Sequence, residues 1–221
     1  MNSKLMMTTA VAALLAVVGI FVYSRQSGAS AGGPVAATGD ISYEGQPRLG
    51  EVEAPVVLAL FEDFRCPACR YFSLEILPEL ERDYIETGRA QLYFFNYPIL
   101  GPESRTAALA AECAYEQNEA AFWDYKTILF RAQGGESQAW ATPSRLEELA
   151  DNLGELDAGA LRQCTDDAAH AGAVDDDSRI GRAAGVSGTP SLFIDGEAVE
   201  NANDYGAVKA LIDAKLGSAS N

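Results

Sequence analysis

A buried strand that leads directly into a Cys-x-x-Cys motif constrains this chain more than any other feature. Residues 56–61 form a continuous apolar run, which is typical of a strand covered on both faces in an α/β sheet. The motif Cys66-Pro67-Ala68-Cys69 follows after a short turn, with proline where the first turn of a helix tolerates it. The pattern predicts a central strand, a turn and a helix that begins at the motif.

The segments on the C-terminal side of the motif continue this α/β pattern. Apolar residues recur at helical spacing and predict a helix that bends at Pro78 and stops near Gly88. Residues 90–97 are rich in aromatic side chains and end before Pro98, which predicts a second strand.

A long helical stretch separates this second strand from the next strand pattern. Within it, the acidic run Asp175–Asp177 indicates a helix break or a solvated face. The apolar run 191–194 then leads into Asp195-Gly196, which is a strong signal for a hairpin turn. A closing helix is predicted over residues 204–216.

The position of Cys66 indicates how the motif would work chemically. At a helix N-terminus, unpaired amide groups and the positive end of the helix dipole lower a thiol pKa below its free value of about 8.5. Cys66 is therefore the candidate nucleophile, and Cys69, one turn on, is the partner that resolves a mixed disulfide. An inert disulfide and half of a zinc site are the alternatives. Zinc would need a second close pair or histidines, yet Cys113 and Cys164 lie far apart and His170 is the only histidine.

The first 25 residues differ in kind from the rest. Lys4 is followed by an uncharged, largely apolar stretch whose length falls between that of a cleavable signal and that of a spanning helix. We expect a signal anchor or signal peptide over residues 1–25 and a flexible linker over 26–39. The bulk of the chain would then lie on the extracytoplasmic side, held by an N-terminal helix in the cell membrane, or be secreted or periplasmic if the signal is cleaved.

Charge and motif content exclude several classes of function. The chain has 32 acidic and 16 basic residues, and its net charge of −16 repels phosphate backbones, so we expect no nucleic-acid partner. Nothing in the sequence resembles a phosphate-binding loop, a Ser-His-Asp set or a metal cluster, so we expect no organic cofactor and no metal. Four cysteines in an exported chain indicate disulfide chemistry first.

Three segments occur in an order and spacing that point to a known family. They are 49–55, 61–69 and 185–190, the last followed by the Asp195-Gly196 turn. They resemble the DsbA-type thioredoxin family from about residue 40 to the C-terminus. The resemblance implies an α/β thioredoxin fold with an inserted helical subdomain, preceded by one N-terminal hydrophobic helix. The implied division is a thioredoxin-fold domain over 40–101 and 173–221, with the inserted helical subdomain over 102–172.

The resemblance also implies roles for residues far from the motif. It implies a cis peptide bond between Thr189 and Pro190, close to the Cys-x-x-Cys, and a substrate-binding role for this pair. Thr189 would offer its backbone to an extended substrate, as in β-strand addition. Relatives often join a cysteine pair such as Cys113 and Cys164 in a structural disulfide, and two buried free thiols are the alternative.

This chain departs from the family pattern at two positions. Many relatives carry a buried acid six residues before the first cysteine, where this chain has Leu60. The task of handling the proton of the resolving thiol would then pass to water, Glu62 or Asp63. Ala68 replaces the histidine of the most oxidising relatives and cannot donate a hydrogen bond to Cys66. We therefore expect the Cys66 thiolate to be stabilised mainly by backbone and dipole, with an intermediate reduction potential.

The combined expectation is a disulfide oxidase. An oxidised Cys66–Cys69 pair would pass its disulfide to reduced exported proteins, and a membrane redox partner would reoxidise the pair. One alternative is a reductase or isomerase of the same fold. The other is a non-catalytic thioredoxin-like binding module in which the motif is only structural.

Overall fold

The computed structural model of the chain describes residues 41–135 and 139–219. The expected membrane segment over 1–25 and the linker over 26–39 lie outside the described residues. Within the described ranges, no helix is both long enough and apolar enough to cross a membrane.

The strands form one mixed sheet with the predicted central strand in the middle. In the described residues the sheet has five strands in the order β1-β3-β2-β4-β5. β2 and β3 are parallel, and the β1–β3, β2–β4 and β4–β5 pairs are antiparallel. The strands are β1 (Arg48–Leu49), β2 (Val56–Glu62), β3 (Ala90–Asn96), β4 (Ser191–Ile194) and β5 (Glu197–Ala198).

The side chains of β2 and β3 point alternately to the two faces of the sheet, and both faces are buried. Leu60 pairs with Phe94 in the register, and both side chains point into the larger core. The next pair, Phe61 and Phe95, points into a second core on the other face, where the rings stack with centroids 4.5 Å apart. Both strands are therefore covered on both sides, as the continuous apolar run of β2 predicts.

The helices enclose these two faces. The helix after the motif, α1, consists of four consecutive segments in which α- and π-helical hydrogen bonding alternate. The helices are α1 (Pro67–Tyr71, Phe72–Ile76, Leu77–Leu80 and Glu81–Ile85), α2 (Pro102–Gln117), α3 (Glu119–Ala132), α4 (Pro143–Asp151), α5 (Ala158–Asp166), α6 (Ala171–Ala184) and α7 (Tyr205–Ala219).

The irregular course of α1 has a cause in its sequence. Pro78 has no N–H to donate to the Leu74 carbonyl, and π-helical segments lie on both sides of the short α-helical segment that contains it. The chain leaves the helix at Gly88, whose φ of 68° is in the left-handed region that favours glycine.

The helices of the insertion pack mainly on the larger core, and α6 covers the opposite face. Gly181 allows the close approach of α6, because a Cβ at this position would lie 2.7 Å from the ring of Tyr97. The arrangement is a thioredoxin-like α/β sheet with a helical insertion between β3 and β4.

The acidic run in α6 is neither a break nor wholly solvated, contrary to expectation. The helix continues through it, and Asp177 is only 1% exposed. Val174 and Ile180, three residues to either side, are also buried, so helical spacing places Asp177 on the packed face.

Asp177 belongs to a buried polar cluster behind β3. Its carboxylate accepts hydrogen bonds from the backbone N–H of Asn96, at 2.8 Å, and from Gln46 Nε2, at 2.7 Å. Asn96 Nδ2 also donates to Glu112 Oε1, at 2.6 Å. Burial raises the pKa of Asp177 to about 7, and burial together with the nearby charge of Asp177 raises that of Glu112 to about 8.

Candidate active site

The two motif cysteines occupy different positions in the first turn of α1. Cys66 is the N-cap, with the extended dihedral angles φ −80° and ψ 118°, and Pro67 is the first helical residue. Cys66 is 7% exposed and Cys69 is fully buried at 0%. Both are free thiols in the structure. Cys69 is therefore closed to other molecules, and Cys66 is the one of the two cysteines with any exposed surface.

The local environment makes Cys66 the more acidic thiol. A hydrogen bond from the Cys69 thiol is the largest cause that lowers the Cys66 pKa, which falls to about 6 against the opposing effect of burial. Further hydrogen bonds from the Thr189 side chain and from the backbone amides of Cys69 and Ala68 act in the same direction. Cys66 is therefore largely a thiolate at neutral pH.

The same pair of groups makes Cys69 the weaker acid. Burial raises the pKa of Cys69 well above its ordinary value, and the hydrogen bond with Cys66 adds to the effect. The negative charges of Glu62 and Cys66 contribute further. Reduction of a disulfide between the two cysteines would thus leave the charge on Cys66 and the proton on Cys69.

The loop before β4 reaches the site from the far end of the sequence. The Thr189–Pro190 peptide bond is cis. The Thr189 carbonyl oxygen lies 3.2 Å from Cys66 Sγ, where it accepts a hydrogen bond from the protonated thiol. The structure therefore brings Thr189 and Cys66 together across 123 residues of sequence. Ala68 contacts the segment after β5, because its carbonyl oxygen accepts from Asn203 Nδ2 at 3.3 Å.

Glu62, at the end of β2, forms a buried ion pair. Its Oε2 lies 2.8 Å from Lys126 Nζ, and the two side chains are 0% and 2% exposed. Ser73, on α1, completes a triad: its Oγ lies within 3.0 Å of both Glu62 oxygens and accepts from Lys126 Nζ at 2.6 Å. Burial raises the pKa of Glu62, while Lys126 and Ser73 oppose that rise.

Sequence reasoning identified Glu62 but missed Lys126 and Ser73. The ammonium group of Lys126 lies over the rings of Phe94, Trp123 and Phe130, with distances of 5.3, 5.9 and 5.0 Å to the centroids. A signal was present in the sequence, since Lys126 lies four residues from both Phe122 and Phe130 and so falls on the apolar face of α3.

Asp63 has a different set of contacts. Its Oδ1 accepts from the backbone N–H of Arg65 at 2.8 Å, and its Oδ2 accepts from those of Ile99 and Leu100 at 2.8 and 2.9 Å. The carboxylate thus joins the turn before Cys66 to the loop after β3. Ile99 and Leu100 expose 49% and 43% of their surface on this loop.

The other two cysteines lie within the helical insertion. Cys113, on α2, and Cys164, on α5, form a disulfide with a Cα–Cα distance of 6.0 Å and a sequence separation of 51. Together with His170 they are the one group of three or more potential metal-binding side chains found among the described residues. Because the two sulfurs are bonded to each other, they are not thiolate ligands.

The sequence is similar to those of proteins named for disulfide bond formation. Residues 42–214 match the family model described as "Thioredoxin". The chain is 33% identical over 181 residues to disulfide bond formation protein D of Bacillus subtilis (strain 168), covering 82% of each sequence. It is 31% identical over 176 residues to a probable disulfide bond formation protein D of Bacillus anthracis, covering 79% of this chain and 80% of that protein.

Solved structures show the same fold. The oxidised form of BdbD from Bacillus subtilis superposes with a TM-score of 0.79 at 32% identity, covering 82% of this chain and 98% of that one. DsbA from Chlamydia trachomatis superposes with a TM-score of 0.71 at 21% identity, covering 83% and 96%, a likeness that concerns the fold alone.

Proposed function

The chain belongs to the thioredoxin family, as a DsbA-like thiol:disulfide oxidoreductase, and from this premise we propose that it introduces disulfides into exported proteins through Cys66 and Cys69. The observation that carries the proposal is the asymmetry of the two thiols. The Cys66 pKa falls to about 6, while burial raises that of Cys69. Stabilising the Cys66 thiolate stabilises the reduced form, and an enzyme with a stabilised reduced form is a stronger oxidant.

The reaction begins from the oxidised pair. A substrate thiolate attacks Cys66 Sγ and forms a mixed disulfide, while Cys69 leaves and takes up a proton. A second substrate thiolate then attacks the substrate sulfur of the mixed disulfide and displaces Cys66 as a thiolate. Two substrate thiols become one disulfide, and the pair of the enzyme becomes one thiol and one thiolate. The low pKa of Cys66 favours the second step because it makes Cys66 a good leaving group.

Glu62 is the group that exchanges the proton of Cys69 in this proposal. Its charge contributes to the raised pKa of Cys69, so the two groups interact electrostatically. Lys126 and Ser73 hold the carboxylate in place and oppose the effect of its burial. Asp63 has no part in the proton exchange, because its oxygens already accept three backbone hydrogen bonds. It positions the loops on either side of Cys66.

Thr189 and Pro190 form the substrate-binding element in this proposal. The Thr189 backbone lies next to Cys66, which suits it to pair with an extended substrate segment as an added strand. A substrate cysteine in such a segment would be held against the Cys66 sulfur. Cys113 and Cys164 then have a structural role, because their disulfide links α2 to α5 within the insertion.

We place the enzyme on the extracytoplasmic side of the cell membrane. The apolar segment within residues 1–25 would be a membrane anchor or a cleaved signal, and residues 26–39 would be a linker to the thioredoxin-fold domain over 40–101 and 173–221. A disulfide in the insertion over 102–172 suits an oxidising compartment. A membrane redox partner would accept electrons from the reduced pair.

A redox titration with glutathione tests the direction of the reaction. We expect a reduction potential between about −120 mV, the value for DsbA, and about −200 mV, because Ala68 contributes no side-chain hydrogen bond to the thiolate. A value near that of thioredoxin, about −270 mV, would favour the reductase or isomerase.

A trapping experiment separates catalysis from passive peptide binding. Cys69→Ala should accumulate mixed disulfides through Cys66, because the resolving thiol is gone. Cys66→Ala is the matched control and should accumulate none, since Cys69 is fully buried. If Cys69→Ala trapped no substrate, the non-catalytic binding module would be the better assignment.

A further inference from the structure

The insertion contacts the backbone of Cys66 through one side chain. Gln133 directly follows α3, and its Nε2 donates to the carbonyl oxygens of Phe64, at 2.7 Å, and Cys66, at 3.1 Å. Both acceptors belong to the turn that leads into α1. Because both partners are carbonyl oxygens, the nitrogen of the amide must face them.

These two hydrogen bonds add a long-range restraint to a locally formed turn. The N–H of Cys66 donates to the Asp63 carbonyl at 2.9 Å, and the Cys66 carbonyl accepts from the N–H of Arg70 at 3.1 Å. Both of those bonds lie within the turn and the first turn of α1. Gln133 reaches the same backbone from 67 residues away.

A second contact joins the same two helix ends. Arg70 Nε donates to the Phe130 carbonyl at 3.0 Å, near the C-terminal end of α3. The C-terminal end of α3 is therefore tied to the start of α1 through Phe130, and to the turn before α1 through Gln133. On its other side, Cys66 contacts Thr189 through its sulfur.

The geometry of the Cys66 backbone controls where its sulfur lies. Cys66 has extended dihedral angles, so it is the last residue before the helix and is not held by helical hydrogen bonds on its N-terminal side. Rotation about its ψ angle would move the sulfur relative to the amides of Ala68 and Cys69. A donor that holds the Cys66 carbonyl resists this rotation.

We propose that Gln133 is a positioning residue through which the helical insertion holds the Cys66 backbone in the orientation that favours the thiolate. The inference rests on the proposed function, since it concerns the thiol that the function assigns as nucleophile. Through Gln133 the insertion would influence the pKa of Cys66 directly, besides covering one face of the sheet.

The test is the full chain carrying Gln133→Met, which keeps the length of the side chain and removes its donors. We expect the Cys66 pKa, followed by thiolate absorbance, to rise by about one unit, which is a tenfold loss of thiolate stabilisation. At about pH 8, where Cys66 is mainly a thiolate in both proteins, the equilibrium constant with glutathione should change by nearly the same factor, which makes the reduction potential more negative by about 30 mV. Gln133→Asn, whose shorter side chain cannot reach both carbonyls, should give a smaller shift in the same direction.

Gln117→Met is the matched control. Gln117 also bridges two backbone groups of one residue, since its Nε2 donates to the Asp157 carbonyl at 3.2 Å and its Oε1 accepts from the Asp157 N–H at 2.8 Å. Because these contacts lie within the insertion, the control should lose stability and leave the Cys66 pKa unchanged. The inference fails if Gln133→Met leaves the pKa unchanged, or if Gln117→Met shifts it equally. A wild-type pKa near 9 would instead overturn the proposed function itself.

Discussion

Replacing Lys126 with methionine tests whether its buried ion pair with Glu62 serves disulfide exchange or only stability. The two groups are 2.8 Å apart and almost inaccessible to solvent. Removing the lysine would leave a buried carboxylate without its partner, a change that costs about 3–5 kcal/mol in folding stability. Methionine fills much of the same space, so a cavity contributes little to this cost.

The loss of stability should depend on pH. Burial already raises the pKa of Glu62, and removing Lys126 would raise it further because the lysine is the main group that opposes the rise. A raised pKa in the folded state means that the folded protein binds more protons than the unfolded chain. The stability of Lys126→Met should therefore fall as pH increases, by at most about 1.4 kcal/mol per pH unit. Urea denaturation at several pH values measures this slope.

A double variant separates the two roles. Lys126→Met combined with Glu62→Gln removes both charges, so most of the lost stability should return. If the pair handles the proton of Cys69, the rate of exchange with a thiol peptide should stay about 100-fold below wild type, within the usual range for general acid–base catalysis. A double variant that recovers both stability and rate would refute the proton-transfer role. A loss below about 1 kcal/mol in Lys126→Met, typical of exposed pairs, would refute the buried-pair reasoning.

Three further predictions concern individual groups. The thiolate absorbance of Cys66 should titrate with a midpoint of about 6. Cys69→Ala should raise that midpoint, because the Cys69 thiol is the main hydrogen-bond donor to Cys66. A midpoint in the wild type equal to that of a free cysteine would contradict both predictions. The wild type should lose stability between pH 6 and pH 8 as Glu112 and Asp177, with folded pKa values of about 8 and about 7, ionise, and Glu112 should account for about 2 kcal/mol of the loss. Glu112→Gln should flatten that slope, and an unchanged slope would exclude Glu112 as its source. The double variant Cys113→Ala/Cys164→Ala should lose about 4 kcal/mol in urea denaturation, since the disulfide closes a loop with a sequence separation of 51, and a loss near zero would indicate a compact unfolded state.

The local structure of the site could be predicted from the sequence because its signals are local. The apolar run of β2 determines a strand buried on both faces, and proline after Cys66 suits the first turn of a helix. The Asp195-Gly196 turn likewise joins β4 and β5, with positive φ at both residues. Each of these features depends on residues within a few positions of one another.

Contacts between residues far apart in the sequence could not be predicted from such local signals. The proximity of Thr189 to Cys66 was expected only through the family resemblance, and Lys126 and Gln133 were not identified as parts of the site. Their hydrogen bonds to Ser73 and to the Cys66 carbonyl span 53 and 67 residues. A polar side chain has many acceptors of the same chemistry in the sequence, and only packing decides which one lies within reach.

The sequence alone therefore determined the type of chemistry, by placing two cysteines at the start of a helix behind a buried strand. Tertiary structure decided how that chemistry is tuned. It selected Glu62 as the carboxylate paired with a buried lysine, because Glu62 lies two residues after Leu60 on β2 and so points to the same face, whereas Asp63 lies beyond the end of the strand. It also placed the end of α3 against the turn at Cys66, because helix packing, and not sequence distance, sets which groups meet.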